Sequence, residues 1–131
     1  MSTEQNHPEQ SPGFPVGTFC WNELNTSNTA AAGPFYTKLF GWETTEFSQG
    51  GMTCTLFRIN ENRIGGMVQN PEAAMPVLWL SYLRVADVDA VMARAVEMGA
   101  KVMIPPTDIP MVGRMAVFQD PQGAALGLFK P

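Results

Sequence analysis

Asn28-Thr29-Ala30-Ala31-Ala32-Gly33-Pro34-Phe35-Tyr36-Thr37-Lys38-Leu39-Phe40-Gly41 reads as one helix held between two stops. Asn28 can cap the start by accepting a hydrogen bond from a free backbone N–H. Ala32, Phe35, Tyr36 and Leu39 follow at i, i+3, i+4 and i+7, an apolar stripe, and Gly41 supplies the stop. Pro34 lies inside the stretch, where its ring displaces the carbonyl of Ala30, so a kink or a late, ragged start near Gly33 is expected. The same arrangement returns further along: Asp87 as cap, then Val88, Val91, Met92 and Ala95 on one face, then Gly99. Comparing Asn28 with Asp87 and Gly41 with Gly99 gives an offset of about 58 to 61 residues, the spacing of an internal repeat.

Outward from the two helices the strands also repeat. A strand over residues 17–26 precedes the first helix. Strands over 43–47, 53–59 and 63–68 follow it, punctuated by Gly50-Gly51 and Asn60-Glu61-Asn62. Residues 70–76 read as a linker. The second half has a strand over 77–85, the helix, and a strand over 101–104 running into Pro105-Pro106. An irregular stretch over 107–113 comes next. Strands over 114–119 and 124–130 then flank the turn Asp120-Pro121-Gln122-Gly123. Each half is βαβββ. The fold class is α+β, with tandem modules over 17–69 and 77–130 inside one domain over 16–131, after a disordered tail over 1–15.

Composition narrows the function. The chain has 131 residues, 45% hydrophobic, which suits one domain. Eight Lys and Arg against twelve Asp and Glu leave a net charge of −4, so phosphate-backbone electrostatics are missing and no nucleic-acid partner is expected. No window reaches the roughly 20 apolar residues of a membrane span, and the start lacks a signal-peptide pattern; a cytoplasmic protein is expected. Cys20 and Cys54 read as reduced thiols. The single histidine, His7, falls in the tail, which argues against a His-based metal site or a His-centred triad in the domain.

One helix covers one face of a four-stranded sheet and leaves the other open, so two tandem units are expected to share a cleft on their open faces. Alternation puts Cys20, Asn22 and Leu24 on the helix side, and Trp21, Glu23 and Asn25 on the cleft side. In the matching strand Ser81, Leu83 and Val85 take the helix side, and Leu80, Tyr82 and Arg84 the cleft. Charged and aromatic groups among apolar walls suit a small-molecule site.

The run Ala31 to Trp42 after its cap, the step Val85-Ala86-Asp87-Val88-Asp89, and Asp120-Pro121-Gln122-Gly123 before the last strand together resemble the vicinal oxygen chelate superfamily. That superfamily comprises glyoxalases, extradiol dioxygenases and bleomycin-resistance proteins. The resemblance covers about residues 17–130, and the segment 105–114 resembles the subgroup described as glyoxalase-related. It implies two βαβββ modules forming a cupped mixed sheet around a pocket. In the enzymes a divalent metal is held by His, Gln or Glu from the first and last strands of both modules. Those positions fall here on Trp21, Gly66, Leu80 and Gly127, none of which ligates through its side chain. Shifting by one residue offers Cys20, Gly65, Trp79 and Leu126 or Leu128, again no site for an oxygen-seeking cation. The expectation is therefore a binder without metal or other cofactor, taking a small, partly apolar molecule through Trp21, Glu23, Leu80, Tyr82, Arg84, Gly66 and Gly127. The alternative is a glyoxalase- or dioxygenase-related lyase, isomerase or oxygenase acting on a small metabolite.

Each residue keeps a plainer reading. Glu23 is a general base or half of an ion pair with Arg84. Tyr82 donates to a ligand carbonyl or only meets water, and Arg84 clamps an anion or extends to solvent. Trp21 is a stacking wall, with Trp79, of opposite parity, under a helix. Met52, Met67, Met92, Met98 and Met115 read as core filler. Gly65-Gly66 and Gly127 permit close backbone approach or leave room for a ligand. Edge strands within 47–59 carry alternating apolar residues, so a homodimer is expected.

Overall fold

The computed structural model describes residues 14–49, 52–70 and 76–131. Most of the expected tail, the Gly50-Gly51 turn and most of the linker lie outside these. Two compact units divide the chain, one formed by Trp21–Leu80, the other by Ser81–Pro131 together with residues preceding Trp21.

The first half runs β1 (Phe19–Thr26), α1 (Thr29–Phe40), β2 (Glu43–Gln49), β3 (Met52–Ile59) and β4 (Asn62–Gln69). The second runs β5 (Leu78–Arg84), α2 (Val88–Glu97), β6 (Lys101–Ile109), β7 (Gly113–Gln119) and β8 (Ala125–Lys130). Both halves are βαβββ, as the sequence predicts. Strand order is β2-β3-β4-β1 in the first and β5-β8-β7-β6 in the second. β1 pairs β4 and β5 pairs β8 in parallel, while the other pairs within each half are antiparallel. The parallel step is where the helical crossover is needed.

The helix stops behave as read. Asn28 Oδ1 accepts from the Ala31 N–H at 3.0 Å, and Asp87 Oδ1 from the Ala90 N–H at 3.0 Å. Gly41 closes α1 in the left-handed region at φ 75°. The late start near Gly33 is overturned, because α1 is helical from Thr29 and runs through Pro34. The start is secured twice over, by the Asn28 cap and by Gln69 Oε1, which accepts from the Thr29 N–H at 3.2 Å. Pro34 therefore withholds only the one bond that its nitrogen cannot donate.

The irregular stretch over 107–113 is also corrected. β6 continues through Pro105-Pro106 to Ile109, with register shifts between Val102 and Ile104 and between Ile104 and Thr107. β6 lies at the outer end of its half's strand order, where a proline nitrogen need not donate to a neighbour. Only residues 110–112 form the turn.

Each helix packs on one sheet face. Leu24, Phe57 and Met67 form a buried cluster with Ala32 and Tyr36 of α1, Trp42 and Ile64 against it. Val85, Val88, Met92, Ala116 and Leu128 form the matching cluster under α2. The methionine reading divides: Met67 and Met92 are core, whereas Met98, the C-cap of α2, is 67% exposed.

Candidate ligand-binding faces

Alternation along the strands fixes which side chains turn away from each helix. In the first unit Leu24 and Met67 face α1, so Trp21 and Glu23 of β1 and Gly66 of β4 lie on the opposite face. Glu23 stands in register with Gly66, and Gly66 with Leu56 of β3. Cys54, Leu56 and Arg58 share this face. Trp21 packs on Gly66: a β-carbon added there would lie 3.4 Å from its Cζ2 and 3.5 Å from its Nε1. Gly65 serves close approach from the other side, since a β-carbon there would stand 3.0 Å from the Asn22 carbonyl oxygen.

Trp79 takes the helix side, as its parity requires. Its indole N–H donates to the Tyr36 hydroxyl at 3.2 Å, and its ring meets Tyr36, Trp42 and Phe57 at centroid distances of 5.3, 6.3 and 6.1 Å. Leu80, the last residue of the first unit, is buried.

In the second unit Leu128 and Ala116 face α2, so Tyr82 and Gly127 lie on the helix-free face, in direct register. The Tyr82 ring rests on Gly127 so closely that a β-carbon there would come within 2.6 Å of Cε2 and 2.7 Å of Cγ. Tyr82 is 5% exposed, which removes the reading of a residue merely open to water. Arg84 Nη1 donates to the Phe14 carbonyl at 3.2 Å, and Arg84 also exchanges backbone bonds with Gly17 and Thr18. Its guanidinium thus secures the segment leading into β1 rather than extending freely to solvent.

Electrostatics distinguish the first face. Arg58 is committed, its Nε donating to Thr45 Oγ1 at 2.7 Å and its Nη1 to the Asn60 carbonyl at 2.8 Å, with Glu43 at 3.5 Å. Cys54 is partly buried, and burial first, then the Glu23 carboxylate, pushes its thiol above the ordinary range. Glu23 and Cys54 lie on the same face, on strands separated by β4, and the charge of Glu23 is felt at Cys54. The sequence reading missed this pairing, although strand parity together with the order β3-β4-β1 would have revealed it.

Arg114 was also missed as an organiser. Its Nε and Nη2 donate to the two carboxylate oxygens of Asp89 at 2.7 and 2.9 Å, and Nη1 to Asp108 at 2.8 Å. The fork ties the first turn of α2 to the β6–β7 hairpin and holds the Asp89 carboxyl below its ordinary range. An open groove of about 600 Å³ lies beside it, between residues 108–114 and the Lys130-Pro131 end; no predicted site residue lines it.

At the four positions where the resemblance puts metal ligands stand an indole, two glycines and a leucine. None offers an oxygen, imidazole or thiolate donor, and Gly127 has no room for a longer side chain while Tyr82 stays in place. Among the described residues no three of His, Cys, Asp and Glu cluster as a metal site would need. These residues do not fit a four-ligand divalent centre.

A duplicated βαβββ unit of α+β class, each half carrying its helix on one face and a glycine under an aromatic on the other, defines the class. The chain belongs to the Glyoxalase/Bleomycin resistance protein/Dioxygenase superfamily, which residues 18–128 match. It is 39% identical over 119 residues to "Putative glyoxylase CFP32" of Mycobacterium tuberculosis (strain CDC 1551 / Oshkosh), an alignment covering 87% of this chain and 46% of the relative. It is 32% identical over 132 residues to the anthracycline biosynthesis protein DnrV of Streptomyces peucetius, covering 89% and 48%. The chain thus spans about half the length of these relatives. Among solved structures, a Streptomyces coelicolor methylmalonyl-CoA epimerase in complex with 2-nitronate-propionyl-CoA matches with a TM-score of 0.62 at 16% identity, covering 88% of this chain and 98% of that one. The Mycobacterium tuberculosis methylmalonyl-CoA epimerase matches at 0.61 and 15%, covering 95% of each. At such identities the likeness establishes the fold alone. No described helix is long and apolar enough to cross a membrane.

Proposed function

We propose that the chain binds a small, partly apolar molecule on its helix-free sheet faces, without the metal its family's enzymes use. One observation supports the reading: at the positions where the resemblance puts metal ligands stand Trp21, Gly66, Leu80 and Gly127, and both glycines lie under aromatic rings. A Lewis acid needs donors that these side chains lack. On the first unit's face Trp21 is the stacking wall and Glu23 the polar group that orients the ligand; on the second unit's face Tyr82 lines the corresponding position over Gly127, and Arg84 holds the segment leading into β1. The domain spans residues 16–131 and works in the cytoplasm as a homodimer. Support for self-association comes from β2, which ends its half's strand order, and from exposed apolar residues on α1, Phe35 and Leu39, each 59% exposed.

A thermal-shift screen against a library of small metabolites tests the binding reading, because a ligand that prefers the folded state raises the midpoint by mass action. Hits are expected among partly apolar compounds, weakened by Glu23→Gln or Trp21→Leu. A blank screen, or hits indifferent to both variants, contradicts it.

The likeness to the relative named as a glyoxylase favours a second reading, an enzyme acting on a small metabolite with Glu23 as base. Turnover of a screened hit, lost in Glu23→Gln with binding retained, would establish it.

A further inference from the structure

We infer that the outward surface of α1, in the first unit, is the face on which a second copy of this chain docks. The inference rests on the self-association proposed above and assigns it a surface and named residues. The two helices hold corresponding places in the duplicated module, so each serves as a control for the other. α2 turns Asp89, Arg94 and Glu97 outward among small alanines and Val96, the polar outer face usual for a helix that meets solvent. α1 turns outward Ala30, Ala31, Pro34, Phe35, Leu39 and Phe40, with Lys38 as its only charge. Its inner side is apolar too, with Ala32 and Tyr36 packed on the core. A helix apolar on both sides has the pattern of one that is covered on both.

The exposed residues form one patch that rises from the core. Ring centroids step from Phe35 to Tyr36 at 5.0 Å, from Tyr36 to Phe40 at 6.4 Å and to Trp79 at 5.3 Å, and from Phe40 to Trp42 at 5.1 Å. Phe57 at the base is fully buried, whereas Phe35, Leu39 and Phe40 are each more than half exposed and Trp79 more than a third. Leu39 lies one turn beyond Phe35 on the same face of the helix. At roughly 100 Å² for each exposed ring, the patch with Leu39 offers about 400 Å². That is about half of the roughly 800 Å² each partner gives to a standard interface, close to the apolar share of such interfaces.

A second copy is the occupant that fits. The outer face of α1 carries no acidic residue and one lysine, too little charge to steer a partner of opposite sign. Apolar rings instead pair with like rings, as an isologous twofold contact requires. Two copies also contain about as much chain as one of the longer relatives, 46% and 48% of which align with this chain. What the rest of the polypeptide is long enough to cover there, a second molecule covers here.

Sedimentation velocity on the full chain across a dilution series tests this. The wild type is expected to be a dimer, and Phe35→Glu combined with Leu39→Glu should raise its dissociation constant about a hundredfold, as expected when two central apolar anchors become charged. Both positions are exposed, so the variant should fold. Val96→Glu, at an exposed apolar position on α2, should leave the dimer intact. A wild-type dimer that the α1 variant leaves unchanged, or that Val96→Glu weakens equally, overturns the inference and spares the homodimer reading. A wild type that is monomeric throughout overturns both. Hydroxyl-radical footprinting of concentrated against dilute wild type needs no variant. Protection on association is expected at Phe35, Leu39 and Phe40, and protection confined to other residues overturns the inference.

Discussion

The two halves use one device to different degrees. In the second, Tyr82 sits directly across from Gly127, its ring fills the space above that glycine, and little of it is exposed. In the first, Trp21 reaches Gly66 from two residues earlier in the strand, at ordinary contact distance, and stays half-buried beside Glu23. The same backbone position is thus closed in one copy and left with an accessible aromatic surface in the other. The two halves keep one frame and differ at a few strand positions, and the proposed recognition falls on the first.

The largest expected effect is at the closed glycine. Gly127→Ala should destabilise by about 3 kcal/mol, the upper part of the range for overpacking a core, because its methyl overlaps the Tyr82 ring. Denaturant unfolding checks this, and in a Tyr82→Ala background the same substitution should cost only a few tenths, a coupling that a double-mutant cycle reads out. The caps come next and should treat the halves alike. Asn28→Ala and Asp87→Ala should each cost about 1 kcal/mol, since each removes one capping bond at 3.0 Å. Gly66→Ala should cost less than about 1 kcal/mol, because Trp21 and Thr55 stand at contact distance rather than in overlap. A cost equal to that of Gly127→Ala would erase the contrast between the halves.

The smallest effect is at the Arg114 fork of the second half. Asp89→Asn should lower the melting midpoint slightly at low ionic strength and negligibly in molar salt, because the pair is exposed. The Asp89 carboxyl is held below its unfolded value, so its contribution is complete above about pH 4 and fades as pH falls through the lower folded value. The wild-type and Asp89→Asn melting curves should therefore converge in acid.

Much of the frame was legible because it rests on local chemistry. Asn28, Asp87, Gly41 and Gly99 mark helix ends through their own backbone and side-chain preferences, and alternation placed Trp21 opposite Leu24 and Trp79 opposite Tyr82. What failed depended on neighbours distant in sequence. Gln69, forty residues on, helps to secure the start of α1 despite Pro34. The outer position of β6 let Pro105-Pro106 remain in a strand. Glu23 acts on Cys54 only because β1 and β3 flank the same strand, and Arg114 becomes a clamp only once β7 stands beside the first turn of α2. Pairing of this kind is a property of strand order, which no single stretch encodes.

Metal content tests the central claim most directly. Purified protein incubated with Zn, Mn, Ni, Co and Fe(II), desalted and measured by elemental analysis should retain far less than one ion per chain. One equivalent retained by the wild type and released by substitutions in these strands would contradict the account.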